Sequence, residues 1–251
     1  MSKDLMQSII QHFGALSNVQ AIALADSQTT GFVDDHSDLD FYIYTTEPIP
    51  VNHRINMIKE IGASKVEFDL QFWDLNDAWI DSDSGIEVDM IYWDIAWIET
   101  QIERVLIRHQ ASVGYSTCFW HTVLISKLLF ERENWFTNLQ SKCLHPYPEG
   151  LRDAILAKNH PILRNVSQSY YEQIKNAIER NDLISINHRL SALFASYFDV
   201  LFALNFMPNP GEKRVLDYAL KACSKVPENL RIQVEEVLGS ATWPKKVFSV
   251  K

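Results

Sequence analysis

The chain is poor in cysteine: Cys118, Cys143 and Cys223 are the three in 251 residues, far apart and without paired spacing. That leaves no basis for a disulfide framework or a cysteine-ligated zinc site, and a reducing cytoplasm is the expected compartment. Basic residues are short as well, with 23 Lys and Arg against 32 Asp and Glu, a formal charge of −9 and a pI near 5.3. Holding a long stretch of nucleic-acid backbone relies on clustered cations that release counterions, so a template-reading enzyme is disfavoured and a small acceptor favoured. No uncharged run approaches the length of a membrane span. The N-terminus, MSKDLMQSIIQHF, mixes charged and apolar residues too often for a signal-peptide core. A soluble, unprocessed protein with no membrane partner is therefore expected. None of the eight histidines stands in a His-Glu-x-x-His frame, and no Gly-x-Ser-x-Gly elbow occurs, which argues against zinc-hydrolase and α/β-hydrolase chemistry. Internal repeats and low-complexity tracts are absent too.

What the chain does have is apolar mass, 47% of its residues, enough for one large domain or two modest ones. Its most informative stretch is Asn18 to Tyr44, NVQAIALADSQTTGFVDDHSDLDFYIY. Leu39, Phe41 and Ile43 alternate with Asp38, Asp40 and Tyr42, the period of a half-buried strand. Both aspartates then emerge on one face, roughly 6–7 Å apart along the strand. Carboxylates at that spacing make a poor core and a good seat for a hard divalent cation, since magnesium takes a few carboxylates plus substrate phosphates. Upstream, Ile22 to Ala25 reads as a small apolar strand running into Ser27, two threonines and Gly31. Such a turn can aim amides and hydroxyls at a phosphate, while Ser27 reads equally as a helix N-cap; the two uses are compatible.

The remaining pattern places helix over about 4–16, a connecting helix carrying Ile55, Ile58 and Ile61 up to Gly62, and a third strand through Val66, Phe68, Leu70 and Phe72. Asp74 to Gly85 reads as a polar segment reaching outwards, fringing an acceptor pocket. Glu87 to Trp93 is a further strand with Glu87 and Asp89 on one face. From Ile95 onward the period is helical, over 95–109, 115–133, 166–180, 183–205, 212–224 and 227–238. The 183–205 helix has an apolar face of Leu190, Leu193, Phe194, Tyr197, Phe198, Leu201 and Phe202, wide enough for a bundle centre. Lys127, Lys158, Lys213 and Arg214 each fit a solvated face. Lys213 and Arg214 are the best placed to meet phosphates, because they open a helix after the rigid Pro208-Asn209-Pro210-Gly211 turn. Trp93, Trp97, Tyr115, Trp120 and Trp135 read as core before ligand platform.

The run Ser27-Gln28-Thr29-Thr30-Gly31 followed by Ser37-Asp38-Leu39-Asp40 resembles the Gly-Ser…Gly…Ser-Asp-x-Asp signature of the DNA polymerase beta-like nucleotidyltransferase superfamily. Its small-molecule branch includes aminoglycoside and lincosamide adenylyltransferases. Gly114 to Trp120 and Pro210 to Arg214 are similar to segments of a stand-alone, uncharacterised bacterial group. One departure is Asp26, which stands where the family has glycine. The resemblance implies an α+β fold, a small mixed sheet flanked by helices over 1–110, then an all-helical bundle over 111–251. It implies transfer of AMP from ATP to a small-molecule hydroxyl, with two magnesium ions held by Asp38, Asp40 and a third carboxylate on the later strand. Asp89 is preferred for that place because it directly precedes the strand's hydrophobic tail, with Glu87 as rival. Ser27, Gly31, Ser37, Lys213 and Arg214 would bind the nucleotide. A nucleotide-binding sensor without turnover, a protein-modifying adenylyltransferase and a plain interaction module stay open. Oligomeric state is not legible.

Overall fold

The computed structural model describes residues 3–25, 38–72 and 74–239. They form an α+β protein that divides into two compact units, each built from two pieces of chain. Unit 1 comprises Met1–Glu103 with Thr122–His145, and unit 2 comprises Arg104–His121 with Pro146–Lys251. Among the described residues no helix is long and apolar enough to cross a membrane.

Unit 1 is a mixed six-stranded sheet in the order β3-β4-β5-β2-β1-β6. The strands are β1 (Val19–Ala25), β2 (Leu39–Thr45), β3 (Ala63–Leu70), β4 (Asn76–Asp81), β5 (Glu87–Asp94) and β6 (Lys127–Glu131). β2 and β5 run parallel, and the other pairings are antiparallel. Leu39, Phe41 and Ile43 on β2 and Val88 and Met90 on β5 turn one face into the core. That face is covered by α1 (Lys3–Gly14), through Leu5, Ile9 and Phe13, and by Ile58 of α2 (Val51–Ile61). α2 stops at Gly62, whose φ of 96° is a left-handed cap that a Cβ would resist. On the opposite face Tyr44 is buried against Trp93 and against Trp135 and Phe136 of α5 (Trp135–Cys143).

Two elements of unit 1 differ from the sequence expectation. The segment expected to reach outwards from Asp74 forms β4, with Asp77 and Trp79 buried. Its buried acid is explained by Arg54 of α2, which donates to Asp77 Oδ1 at 2.6 Å, to Asp69 Oδ1 at 2.8 Å and to the Ile49 carbonyl at 3.2 Å. Tyr92 completes the cluster, donating to Asp77 Oδ2 at 2.8 Å beneath the guanidinium. The expected helix 115–133 is instead α4 (Cys118–Ile125) followed by β6, which pairs with β1. Arg132, just beyond β6, donates to the carbonyls of Gly14, Leu16 and Val19 and so clamps the α1–β1 turn.

Unit 2 is helical. From Ile95 onward the helices are more numerous than the periodicity predicts: α3 (Ile95–Leu106) carries the chain out of the sheet, and α5 of unit 1 and α6 (Glu149–Arg164) of unit 2 occupy stretches where no helix was expected. α7 (Tyr170–Glu179), α8 (Leu183–Leu204), α9 (Val215–Ala222) and α10 (Leu230–Gly239) follow. α8 is the bundle centre, as its apolar face predicts: Phe198, Leu201 and Phe202 pack with α9 and α10, and Ile186 and Leu190 pack with α7. Asp182 caps α8, accepting from the Ser185 amide at 3.0 Å.

Candidate functional site

Because β2 and β5 are parallel neighbours, they bring their N-terminal ends together. Their ladder begins Leu39↔Val88, Asp40↔Asp89. Leu39 and Val88 are buried on the core side, so Asp40 and Asp89 lie next to each other on the other side, both half-buried. Adjacent strands are about 4.8 Å apart, which puts two carboxylates within reach of one ion. On either flank stands a small residue: Ala25 of β1 is opposite Asp40, and Ala78 of β4 is opposite Asp89. The row across four strands therefore reads Ala25, Asp40, Asp89, Ala78, two acids between two methyl groups that cannot crowd them. The next row brings Tyr42 beside Ile91, with Asn76 on β4. Asn76 turns its amide back to Asp89, donating to Oδ1 at 3.2 Å. That bond fixes one carboxylate oxygen of Asp89.

Asp38 immediately precedes β2 and is half-buried. Among the described residues, no group of three or more His, Cys, Asp and Glu side chains converges closely enough to hold a metal ion. The structure thus brings Asp40 and Asp89 together in register, with Asp38 and Glu87 one residue before the ladder begins. Ser27, Gly31, Ser37 and the departing Asp26 lie outside the described residues. Lys213 and Arg214 belong to unit 2, where both are exposed just before α9; Arg214 is its N-cap residue, with φ 53°. Sequence reasoning missed Asn76. Nothing in its neighbourhood marked it, because only the β4–β5 register places its amide beside Asp89.

The donor set is one of hard oxygen ligands, carboxylates with an amide behind them, and it suits magnesium. That ion keeps an octahedral shell from one or two carboxylates, waters and substrate phosphates, so a carboxylate pair is a sufficient protein contribution.

No protein-family model matches the chain, and no curated protein matches it. Among solved structures it is similar to a nucleotidyltransferase-like protein from Exiguobacterium sibiricum, at 12% identity and a TM-score of 0.42, over 86% of this chain and 61% of that one. The chain thus spans under two thirds of that protein's length.

Proposed function

We propose that the chain is a metal-dependent nucleotidyltransferase. It would move a nucleoside monophosphate, most simply AMP from magnesium-ATP, to a hydroxyl of a small-molecule acceptor, with pyrophosphate leaving. The observation that carries this reading is the pair Asp40 and Asp89, in register on parallel strands and flanked by Ala25 and Ala78. Two adjacent carboxylates repel each other, and a divalent cation relieves that repulsion where packing does not.

In this proposal Asp40 and Asp89 would hold magnesium, with Asp38, which does not itself converge with them, drawn in by the ion as third ligand; the bound metal would supply neutralisation of charge on the triphosphate during in-line displacement. The side chains do the positioning. Asn76 holds Asp89 by one oxygen and so sets the orientation in which the carboxylate is presented to a ligand. Ala25 and Ala78 leave the width of the row open to the phosphates.

Titration calorimetry with ATP tests the reading. ATP binds more tightly in magnesium than in chelator, and Asp40→Asn abolishes the magnesium-dependent part and the release of pyrophosphate. Equal ATP affinity in chelator and in magnesium, unaltered by Asp40→Asn, would sink it.

A further inference from the structure

Unit 2 contains a buried carboxylate that the proposed reaction does not use. Asp199 of α8 is 1% exposed and accepts from the Ser116 amide at 3.0 Å, Ser116 Oγ at 2.5 Å, Asn209 Nδ2 at 3.2 Å and Asn159 Nδ2 at 3.4 Å. Those donors belong to two loops and a neighbouring helix. Asn159 Oδ1 in turn accepts from the Gly114 amide at 2.9 Å, and the Asn209 amide donates to Thr117 Oγ1 at 2.7 Å. Asn209 Oδ1 accepts from the Gly211 amide at 2.9 Å, so the Pro-Asn-Pro-Gly turn is closed by its own side chain. A fully satisfied buried network of this kind rigidifies what it touches. It pins the stretches Gly114 to Thr117 and Asn209 to Gly211.

The pinned loops, with the turn that continues from Gly211, carry two non-glycine residues in left-handed backbone, Tyr115 at φ 51° and Arg214 at φ 53°. Residues with a Cβ resist that conformation, and it persists only where surroundings over-determine it. Both side chains line one cavity of about 370 Å³. Phe194 and Phe198 of α8 and Val234 of α10 give it an apolar and aromatic wall, and the exposed Glu212 and Arg214 stand at its rim. Burial, and then the charge of Glu212, raise the Tyr115 phenol, which keeps it a hydrogen-bond donor. The volume is that of a small-molecule pocket. An acid and a base on one rim above an apolar wall complement a ligand with one head group of each sign beside an apolar body. The smallest molecule of that description is a free amino acid with a large side chain.

We propose that this cavity binds an aromatic α-amino acid, its carboxylate on Arg214, its ammonium on Glu212 and its ring against Phe194 and Phe198. Arg214 matches a carboxylate through paired N–H donors. The site is complete within unit 2, and its test does not involve the carboxylate row of unit 1.

Calorimetry on the full chain with L-tryptophan, tryptamine, which lacks the carboxylate, and 3-indolepropionate, which lacks the ammonium, separates the two heads. L-tryptophan binds, and each analogue binds on the order of tenfold more weakly. Arg214→Gln erases the preference over tryptamine alone, and Glu212→Gln erases the preference over 3-indolepropionate alone; both residues are exposed, so the fold tolerates the changes. Ser191→Trp, at an exposed position of the same lining, fills the cavity and removes binding. Absence of binding by L-tryptophan and L-phenylalanine at millimolar concentration overturns the proposal. So does an affinity that all three substitutions leave unchanged.

Discussion

Each unit has a buried charged side chain at the centre of a polar cluster, Arg54 in unit 1 and Asp199 in unit 2, and the two are satisfied in opposite ways. In unit 1 Arg54 meets opposite charge: Asp77 is fully buried against it, and Asp69 stands half-exposed at its other nitrogen. In unit 2 Asp199 is held by neutral donors, three amides and the Ser116 hydroxyl, and the Arg104 cation adds its field. The partners differ in kind as well. Arg54 joins regular elements, α2 to β3, β4 and β5, whereas Asp199 joins loops to a helix. An ion pair in the interior is costly to break because either survivor is a naked charge; a carboxylate held by neutral donors loses hydrogen bonds one at a time. The sheet is thus secured by one all-or-none interaction, and the loops of the bundle by several separable ones.

Removing one partner of the ion pair gives the largest expected effect. Arg54→Met strands Asp77 in the core and costs about 3–5 kcal/mol in urea unfolding, and adding Asp77→Asn recovers part of the loss. A cost for Arg54→Met no greater than that of Asp199→Asn would erase the distinction between the units.

Acid has the next largest effect, and it falls on unit 2. Burial lowers His121 from 6.5 to about 4, with its Nε2 3.2 Å from the Tyr218 hydroxyl. The folded state therefore refuses a proton that the unfolded chain accepts, so the stability contributed by neutral His121 is complete above about pH 6.5 and is lost as pH falls towards 4. About 3 kcal/mol is at stake over that interval. His121→Gln flattens the dependence of unfolding free energy on pH between 7 and 4, and an unchanged slope would show that another group carries it.

Asp199→Asn comes third, at about 1–3 kcal/mol, because an amide nitrogen then faces the Ser116 donors. Its pH signature has the opposite sense to that of His121. Burial raises the Asp199 carboxyl, so the folded state holds this proton more tightly. The stabilisation is full below the ordinary carboxylate range and declines as pH rises through the raised value. Subtracting the variant's unfolding free energy from that of the wild type at each pH isolates the term. Arg54, raised from an already high value, offers no such window.

Tyr92→Phe is the mildest change, about 1 kcal/mol, since it deletes only the phenol bond to Asp77 and leaves the ion pair. Thermal unfolding resolves it. A loss as large as that of Arg54→Met would mean that the phenol, not the guanidinium, is what makes Asp77 tolerable in the core.

The same contrast explains what the sequence reveals. Strands with a clean apolar face, β2 and β5, are legible by alternation, and α8 by its apolar stripe. β4 is hidden because its inward positions include Asp77, and acid at a core position reads as solvent-facing until Arg54, 23 residues earlier, is brought to it. β6 is hidden because Lys127 to Glu131 follows α4 after a single residue, and a short apolar run has no period of its own. α6 carries Pro161 in its last turn, which weakens the helical pattern. Of the candidate site, the acids at 38, 40 and 89 are visible as strand residues, but the pairing of Asp40 with Asp89 is a property of register. Asn76 depends on register entirely.

β6 also bears on how the protein is made. The outer edge of β1 is paired by a strand that the ribosome delivers only after residues 104–121 of the other unit have emerged. During synthesis β1 therefore waits with a row of open amides and carbonyls, the kind of edge that recruits foreign strands. Until Arg132 arrives to grip the carbonyls of Gly14, Leu16 and Val19, the turn that launches β1 is unclamped as well. A nascent chain halted before residue 127 is the species on which a chaperone has most to protect.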